Sequence, residues 1–133
     1  MKPKVKVGFY LSGDDVDFHI LTEEIGIVPT KVRKKADWPQ VSISMGIAKD
    51  SWLLETQKEE CKVISNQLDK MCEMLFPKVD VIRTLIQKYK LESSVTIVVE
   101  MEAGNGPEFV LSKDHVAFLA LINAEIGFDL YFE

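Results

Sequence analysis

Phe9-Tyr-Leu-Ser-Gly-Asp-Asp-Val-Asp-Phe18, followed by Leu21 and Glu24-Ile-Gly26, returns as Phe109-Val-Leu-Ser-Lys-Asp-His-Val-Ala-Phe118, followed by Leu121 and Glu125-Ile-Gly127. About ten of eighteen aligned positions are identical, where ordinary composition would give roughly one. The shared residues are apolar, capping and glycine types, which indicate roles in packing and helix capping more than in catalysis. The repeat predicts two copies of one strand-helix unit near the two ends of the chain.

The size and charge of the chain limit what it can be. Its 133 residues suit one α+β domain spanning 1–133, with a core that needs no disulfides. A net charge of -5 argues against nucleic acid as the main partner, because phosphate binding requires a basic surface. No apolar run approaches the length of a membrane span or a secretory signal, so we expect a cytoplasmic protein without membrane contact.

The first half of the chain predicts a strand, a helix, a loop and a hairpin. Alternating apolar residues from Val5 to Leu11 indicate a half-buried strand, and Ser12 with Asp14 and Asp15 is typical of a helix start. Gly26 and Pro29 predict the end of that helix. The segment 30–40 is expected to be a surface loop, and 41–47 with 51–55 to form two strands of a hairpin.

The second half predicts helices and then strands. Thr56-Gln-Lys-Glu59 has the spacing of a capping box, so a helix carrying both Cys61 and Cys72 is expected to begin there. On one helix their separation excludes a mutual disulfide. Pro77 separates this helix from the next one, over 79–89. A strand over 95–101 is then expected to form a hairpin with the strand of the second repeat copy.

The last segment predicts a helix from Val116 to Ile126 and a closing strand over 128–132 whose inward face continues the core. A strand, helix and strand of this length normally form a right-handed parallel connection. The predicted fold class is therefore α+β: one mixed, mainly antiparallel sheet, helices largely on one face, and pseudo-repeated β-α units as in a ferredoxin-like sandwich.

Candidate catalytic groups do not form a recognisable set. Asp14, Asp15 and Asp17 lack the spacing of a calcium loop, and neither of the two histidines, His19 and His115, belongs to a set of three or four ligands with the spacing of a zinc site. No catalytic, cofactor-binding or metal-binding residues are assigned, no cofactor is expected, and the interpretation leans away from an enzyme. A hydrolase around Asp14, Asp17 and His19, or a Cys-His nucleophile pair, are the alternatives left open.

One strongly basic segment stands out on this acidic protein. The candidate residues for contact with a partner or ligand are Thr30, Lys31, Arg33, Lys34, Lys35 and Trp38. A hydrated surface loop is the simpler interpretation, because charge runs in loops usually stay solvated. The functional interpretation is contact with an unknown protein or a small anionic ligand, with Trp38 as an aromatic anchor. The mixed outer sheet face also leaves a homodimer open.

The chain resembles a small bacterial family known only as a domain of unknown function. The resemblance rests on the opening strand ending Phe9-x-Leu11, Thr22-Glu-Glu-Ile-Gly-Ile-Val-Pro-Thr30, Ser51-Trp-Leu-Leu-Glu-Thr56, Pro107-Glu-Phe-Val-Leu-Ser112 and the closing Asp129-Leu-Tyr131. This chain has Ala36-Asp-Trp-Pro39 where the family has a glycine after the basic run. The resemblance implies an α+β domain in bacterial cytoplasm and supplies no activity.

Two functions follow as hypotheses. The first is a non-enzymatic intracellular protein-binding domain, for example an immunity-type protein that neutralises a basic toxin. The alternative is a small-molecule-sensing domain resembling amino-acid-binding regulatory modules, in which Thr30 and Arg33 meet an anionic group.

Overall fold

Two long antiparallel strands form the centre of the sheet. In the computed structural model, which describes residues 2–133, β1 (Lys4–Gly13) pairs along its length with β5 (Glu92–Met101). The side chains of Val5, Val7 and Phe9 are fully buried. These two strands confirm the apolar alternation expected at both places.

The remaining strands extend the sheet on both sides. They are β2 (Lys31–Arg33), β3 (Asp50–Glu55), β4 (Glu59–Glu60) and β6 (Ala124–Phe132). The order is β2-β3-β1-β5-β6, with β4 paired to the start of β1, and every pairing is antiparallel except the parallel pair β5–β6. The predicted α+β class, with a mixed and mainly antiparallel sheet, is confirmed.

The helices are α1 (Phe18–Ile25), the single-turn α2 (Gln40–Ser44), α3 (Ser65–Leu75), α4 (Val79–Tyr89) and α5 (Lys113–Leu121). All of them except α2, which buries no residue, cover one face of this sheet. Helix α1 ends at Gly26 in the left-handed conformation, with φ 77°, as glycine permits. Leu21, Leu68, Ile82 and Phe118 pack with the sheet residues in one core. We call this face of the sheet the helix side.

The repeat in the sequence is not a repeat in the structure. Phe9 lies buried in β1, whereas Phe109 lies half-exposed in the loop before α5. Ser12 belongs to β1, and Asp17 caps α1 by accepting a hydrogen bond from the Ile20 N–H at 3.1 Å. Only the second copy begins its helix as predicted, because the Ser112 hydroxyl accepts from the His115 N–H at 3.1 Å. The expectation of two equivalent strand-helix units was therefore wrong.

The expected hairpin of 41–47 with 51–55 was also wrong. Strand β3 exists, but its two neighbours are β1 and β2, so no edge is left for a further strand. The segment forms the exposed α2 instead. Part of the expected loop over 30–40 is ordered too, as β2 and a 3₁₀ turn over Lys35–Asp37.

The capping box predicted at Thr56 does not form. The Thr56 hydroxyl accepts a hydrogen bond from the Val7 N–H at 2.9 Å, and Glu59 begins β4. Helix α3 starts only at Ser65, so Cys61 precedes it and Cys72 lies within it. Both cysteines are free, as expected.

The C-terminal segment departs from expectation in three ways. Residues 109–111 form no strand, so β5 pairs with β6 and not with the second repeat copy. Helix α5 ends at Leu121, and Asn123 turns the chain in the left-handed region with φ 52°. The expected inward face of the closing strand is not buried, since Phe128, Leu130 and Phe132 are 42%, 43% and 65% exposed. The closing strand does pair in parallel with a neighbour, but that neighbour is β5 and not the strand that the second repeat copy predicts.

Candidate functional site

A polar cavity of about 350 Å³ opens on the face of the sheet opposite the helices. We call it the outer-face cavity. It is lined by Tyr10, Ser12, Lys31, Arg33, Trp38, Lys49, Ser51, Leu53, Glu92, Ser94 and Thr96. Four neighbouring strands therefore contribute to one concave surface.

The strand register explains why these side chains meet. One row across the sheet contains Lys31, Leu53, Tyr10 and Ser94, and the next contains Arg33, Ser51, Ser12 and Glu92. Alternate residues of a strand point to the same face, so both rows face away from the helices. Ser51 and Leu53 are nearly buried and form the floor, and the hydroxyls of Ser12 and Ser51 lie 3.0 Å apart.

The carboxylate of Asp50 holds the basic segment against the sheet. Its Oδ1 accepts from the Lys35 N–H at 2.7 Å, and its Oδ2 accepts from the Val16 N–H at 3.0 Å. The Asp37 carboxylate accepts from the Lys34 N–H at 3.3 Å and closes the 3₁₀ turn. These bonds place Trp38 beside the sheet, where the Arg33 guanidinium carbon lies 4.2 Å from the ring centroid.

Positive charge predominates in the cavity. Lys31 and Arg33 form no ion pair within residues 2–133, whereas Lys49 lies 2.8 Å from the Asp14 carboxylate. The hydrogen bond that Lys49 donates to the Asp14 carboxylate raises the pKa of Lys49 above its ordinary value. Burial, followed by the charge of Glu55, raises the pKa of Tyr10, which stays a neutral phenol. The only carboxylate among the lining residues is Glu92.

One residue that lines this cavity, Trp38, has a side-chain donor without an acceptor in the described part of the chain. The Trp38 Nε1 atom is screened from solvent and makes no hydrogen bond within the described chain. By contrast, the Trp52 Nε1–H donates to the Thr22 hydroxyl at 3.1 Å in the core. A buried donor without a partner costs about 1–3 kcal/mol, so the Trp38 environment is incomplete.

The structure brings together three of the six residues singled out in the sequence. Lys31, Arg33 and Trp38 line the cavity, whereas Lys34 and Lys35 are exposed and lie outside its lining. The Thr30 hydroxyl accepts from the Glu55 N–H at 2.9 Å, which ties β2 to β3. Lys49 and Glu92 were missed, because only the order and register of the strands bring them to this surface.

A second candidate surface is the β6 edge, defined here by Phe109, Phe128, Leu130 and Phe132. Strand β6 is the last in the sheet and runs for nine residues. Phe109 packs on Phe128 with ring centroids 5.9 Å apart, and all four side chains are 40% exposed or more. On the opposite face of β6, Glu125, Asp129 and Glu133 form no ion pair within residues 2–133.

A third concavity, the apolar groove between α3 and α5, has a volume of about 740 Å³. His115 and Cys72 both line it. The His115 Nε2 lies 2.6 Å from the Asp69 carboxylate, and its Nδ1 accepts from the Ser112 N–H at 3.3 Å, so both ring nitrogens are engaged. Burial raises the pKa of the Cys72 thiol to about 11. A thiol in this state is a poor nucleophile at neutral pH.

The residues of the hydrolase alternative have separate structural roles. Asp14 pairs with Lys49, Asp17 caps α1, and the exposed His19 lies 3.3 Å from Glu23. Within residues 2–133, no group of three or more histidine, cysteine or acidic side chains is placed to hold a metal ion.

Comparison with known families assigns the chain to one of them. The family model described as a domain of unknown function (DUF4279) matches residues 3–133, so the chain belongs to this family. The family resemblance read from the sequence is confirmed. Neither the curated proteins nor the solved structures gave a match. None of the described helices combines the length and the apolar character that a bilayer crossing requires.

Proposed function

We propose that this domain binds a protein partner, without catalysing a reaction, by accepting a strand of the partner along β6. The observation that carries the proposal is the nine-residue edge strand whose apolar residues from Phe128 onward are exposed. A free edge presents unpaired backbone N–H and C=O groups, to which an extended peptide can pair. We also place this binding in the cytoplasm, where the two free cysteines would stay reduced.

The β6 edge lacks the usual protection of a sheet edge. Edge strands are commonly short, charged with lysine, broken by proline or covered by another element. Strand β6 contains no lysine, arginine or proline. An exposed apolar strand of this kind is a pairing site unless something covers it.

The charges on β6 define the partner. A paired strand would place one set of alternate side chains over Phe128 and Leu130 and the other set beside Glu125 and Asp129. The complementary sequence alternates apolar residues with Lys or Arg. A second copy of this chain is disfavoured, because two β6 strands would bring their acidic side chains to one face without a cation. A basic toxin neutralised by an immunity-type protein would satisfy the requirement.

The test uses a defined peptide. A seven-residue peptide alternating valine and lysine, with blocked ends, is titrated into ¹⁵N-labelled protein. We expect saturable shifts concentrated in the amides of β6. Two control peptides probe the mechanism. One alternates valine with glutamate, and the other is the valine-lysine peptide with alternate backbone nitrogens methylated. Each should bind at least tenfold more weakly.

Three results would count against strand addition. Shifts away from β6, equal affinity for the glutamate peptide, or undiminished binding of the methylated peptide would each contradict it. Sedimentation measurements on the free protein test whether β6 pairs with a second copy of this chain instead. If the protein is a dimer and Leu130→Lys dissociates it, the strand that pairs with β6 belongs to a second copy.

A small-molecule-sensing function is the second candidate. The observation that favours it is the meeting of Lys31, Arg33 and Trp38 at one cavity. Thermal unfolding with a metabolite panel tests it, since a ligand at a hundred times its Kd stabilises the folded state by about 2.7 kcal/mol. If no ligand raises the unfolding temperature, this candidate fails and the β6 proposal is unaffected.

A further inference from the structure

We infer that the outer-face cavity binds a small organic oxyanion, a molecule with a carboxylate or phosphate group attached to a hydrogen-bonding body. This inference rests on the second candidate function and names its ligand class and site. The anionic group would meet Arg33 and Lys31, and the body would extend across the sheet towards β5.

The cations of β2 supply the anion-binding end. Arg33 and Lys31 are alternate residues of one strand, so both side chains lie on the cavity face. A guanidinium presents paired N–H donors in a plane that matches a carboxylate or phosphate. Stacking on Trp38 at 4.2 Å restricts the plane of Arg33, which lowers the ordering cost of binding.

The opposite end of the cavity determines what the rest of the ligand can be. Ser94 and Thr96 of β5 offer hydroxyl groups, and Glu92 adds one negative charge. Three strand spacings separate β2 from β5, roughly 14 Å at about 4.8 Å each, so a lone inorganic ion cannot reach both ends. A volume of about 350 Å³ lies near the lower limit for organic ligand sites. The ligand is therefore small, anionic at one end and polar at the other.

The unpartnered Trp38 Nε1–H gives a second, independent indication. Nearly all buried donors in folded proteins have an acceptor. An oxygen atom that arrives with a ligand, after a small movement of the Arg33 side chain over the ring, would supply one. The donor is thus also a reporter of occupancy.

The experiment follows the two indole N–H resonances in ¹H–¹⁵N spectra. The probes are inorganic phosphate, succinate and adenosine monophosphate, which separate the bare ion, the carboxylate and the organic phosphate. We expect succinate or the nucleotide to move the Trp38 resonance saturably, and phosphate to bind at least tenfold more weakly than the better of the two. The Trp52 resonance is the internal control, because its donor is already bonded to Thr22.

Matched variants identify the site. Arg33→Ala should weaken binding of the better probe at least tenfold. Arg33→Lys should restore only part of the lost affinity, because the charge returns without the planar pair of guanidinium N–H donors. Lys34→Ala, one residue away and outside the cavity lining, should change Kd less than twofold. Thermal unfolding of each variant without ligand confirms that it is folded.

The failures of the two proposals are distinguishable. If a metabolite stabilises the protein but leaves Trp38 unmoved, or binds Arg33→Ala equally well, the site is wrong and the sensing function stands. If bare phosphate binds as tightly as the organic probes, the ligand class is wrong. If no probe binds and no metabolite stabilises the protein, both proposals fail.

Discussion

The two edges of the sheet are built in opposite ways. Strand β2 has three residues, carries Lys31 and Arg33 on its outer face, and is followed by a turn that Asp50 ties down. Strand β6 has nine residues and leaves Phe128 and Leu130 exposed. The β2 edge is protected against pairing with another chain and the β6 edge is not. The strand recognition that we propose therefore belongs to β6, whereas β2 forms the wall of a small cavity.

The position of α5 accounts for the exposure of β6. This helix packs into the core through Phe118 and Leu119 and is followed by the buried Ile122. Coverage then declines along β6: Ile126 is half-buried, and every residue from Gly127 onward is exposed. The apolar residues that the sequence assigns to an inward face therefore lie on the helix side of the sheet, beyond the helices.

The largest expected effect compares neighbouring residues of β5 and β6. Ile97 and Phe128 are paired in register on the same face, but Ile97 is fully buried. Ile97→Ala should lower the free energy of unfolding by about 3 kcal/mol, through lost burial and a cavity. Phe128→Ala should cost at most about 1.5 kcal/mol, because much of its ring is already in water. Urea unfolding measures both; equal losses would mean that β6 is packed and not a free surface.

The next effect concerns the protection of the β2 side. Asp50→Ala removes the acceptor for both the Lys35 and the Val16 N–H groups and should cost about 2 kcal/mol. Asp37→Ala, which removes one long and exposed hydrogen bond to Lys34, is the matched control and should cost less than about 1 kcal/mol. Hydrogen exchange at Lys35 should accelerate only in the first variant. Unchanged exchange there would show that Asp50 does not hold the segment.

A third prediction gives β6 the protection that β2 has. Leu130→Lys places a cation on the exposed strand and should weaken binding of the valine-lysine peptide at least tenfold, about 1.4 kcal/mol, because a charge replaces an apolar contact with the valines of the peptide. Because Leu130 is exposed, the free energy of unfolding should change by no more than about 0.5 kcal/mol. Val32→Lys on the opposite edge is the matched control. If it weakens the peptide as strongly, the two edges do not differ in recognition.

The sequence predicts the centre of this fold better than its edges. Strands β1 and β5 and helix α4 follow from local alternation and from Pro77, because each buries one complete face. The same alternation over 41–47 misleads, since whether that segment becomes a strand depends on which neighbours β3 already has. Identical residues at Phe9 and Phe109 likewise meet different surroundings, and tertiary context overrides their shared local preference.

The candidate site is predictable only in part, for a related reason. Lys31, Arg33 and Trp38 lie within eight positions of one another, so a basic and aromatic cluster is visible in the sequence. Lys49 and Glu92 join them through the pairing of β3, β1 and β5, which is a long-range property. The exposure of β6 has no local signal, because its alternation is that of a buried strand.

The smallest expected effect concerns the ion pair between Asp14 and Lys49 on the β2 side of the sheet. A hydrogen bond from Lys49, together with its charge, lowers the pKa of Asp14 below its ordinary 3.8. A lowered pKa in the folded state contributes stability that is present above pH 3.8 and is lost as the pH falls through the lowered value. A carboxyl ¹³C titration should therefore place the Asp14 midpoint below 3.8, and Lys49→Met should return it towards that value.

Salt gives an independent check on that ion pair. The pair is exposed to solvent, so 1 M salt should raise the Asp14 midpoint by screening its attraction to Lys49. Arg83→Met, a substitution of an exposed cation that forms no ion pair within residues 2–133, is the matched control and should leave the Asp14 midpoint unchanged. If Lys49→Met has no larger effect than Arg83→Met, Lys49 is not held by Asp14. It would then be a third free cation at the outer-face cavity, and the β2 side would attract anions more strongly than the contrast with β6 already implies.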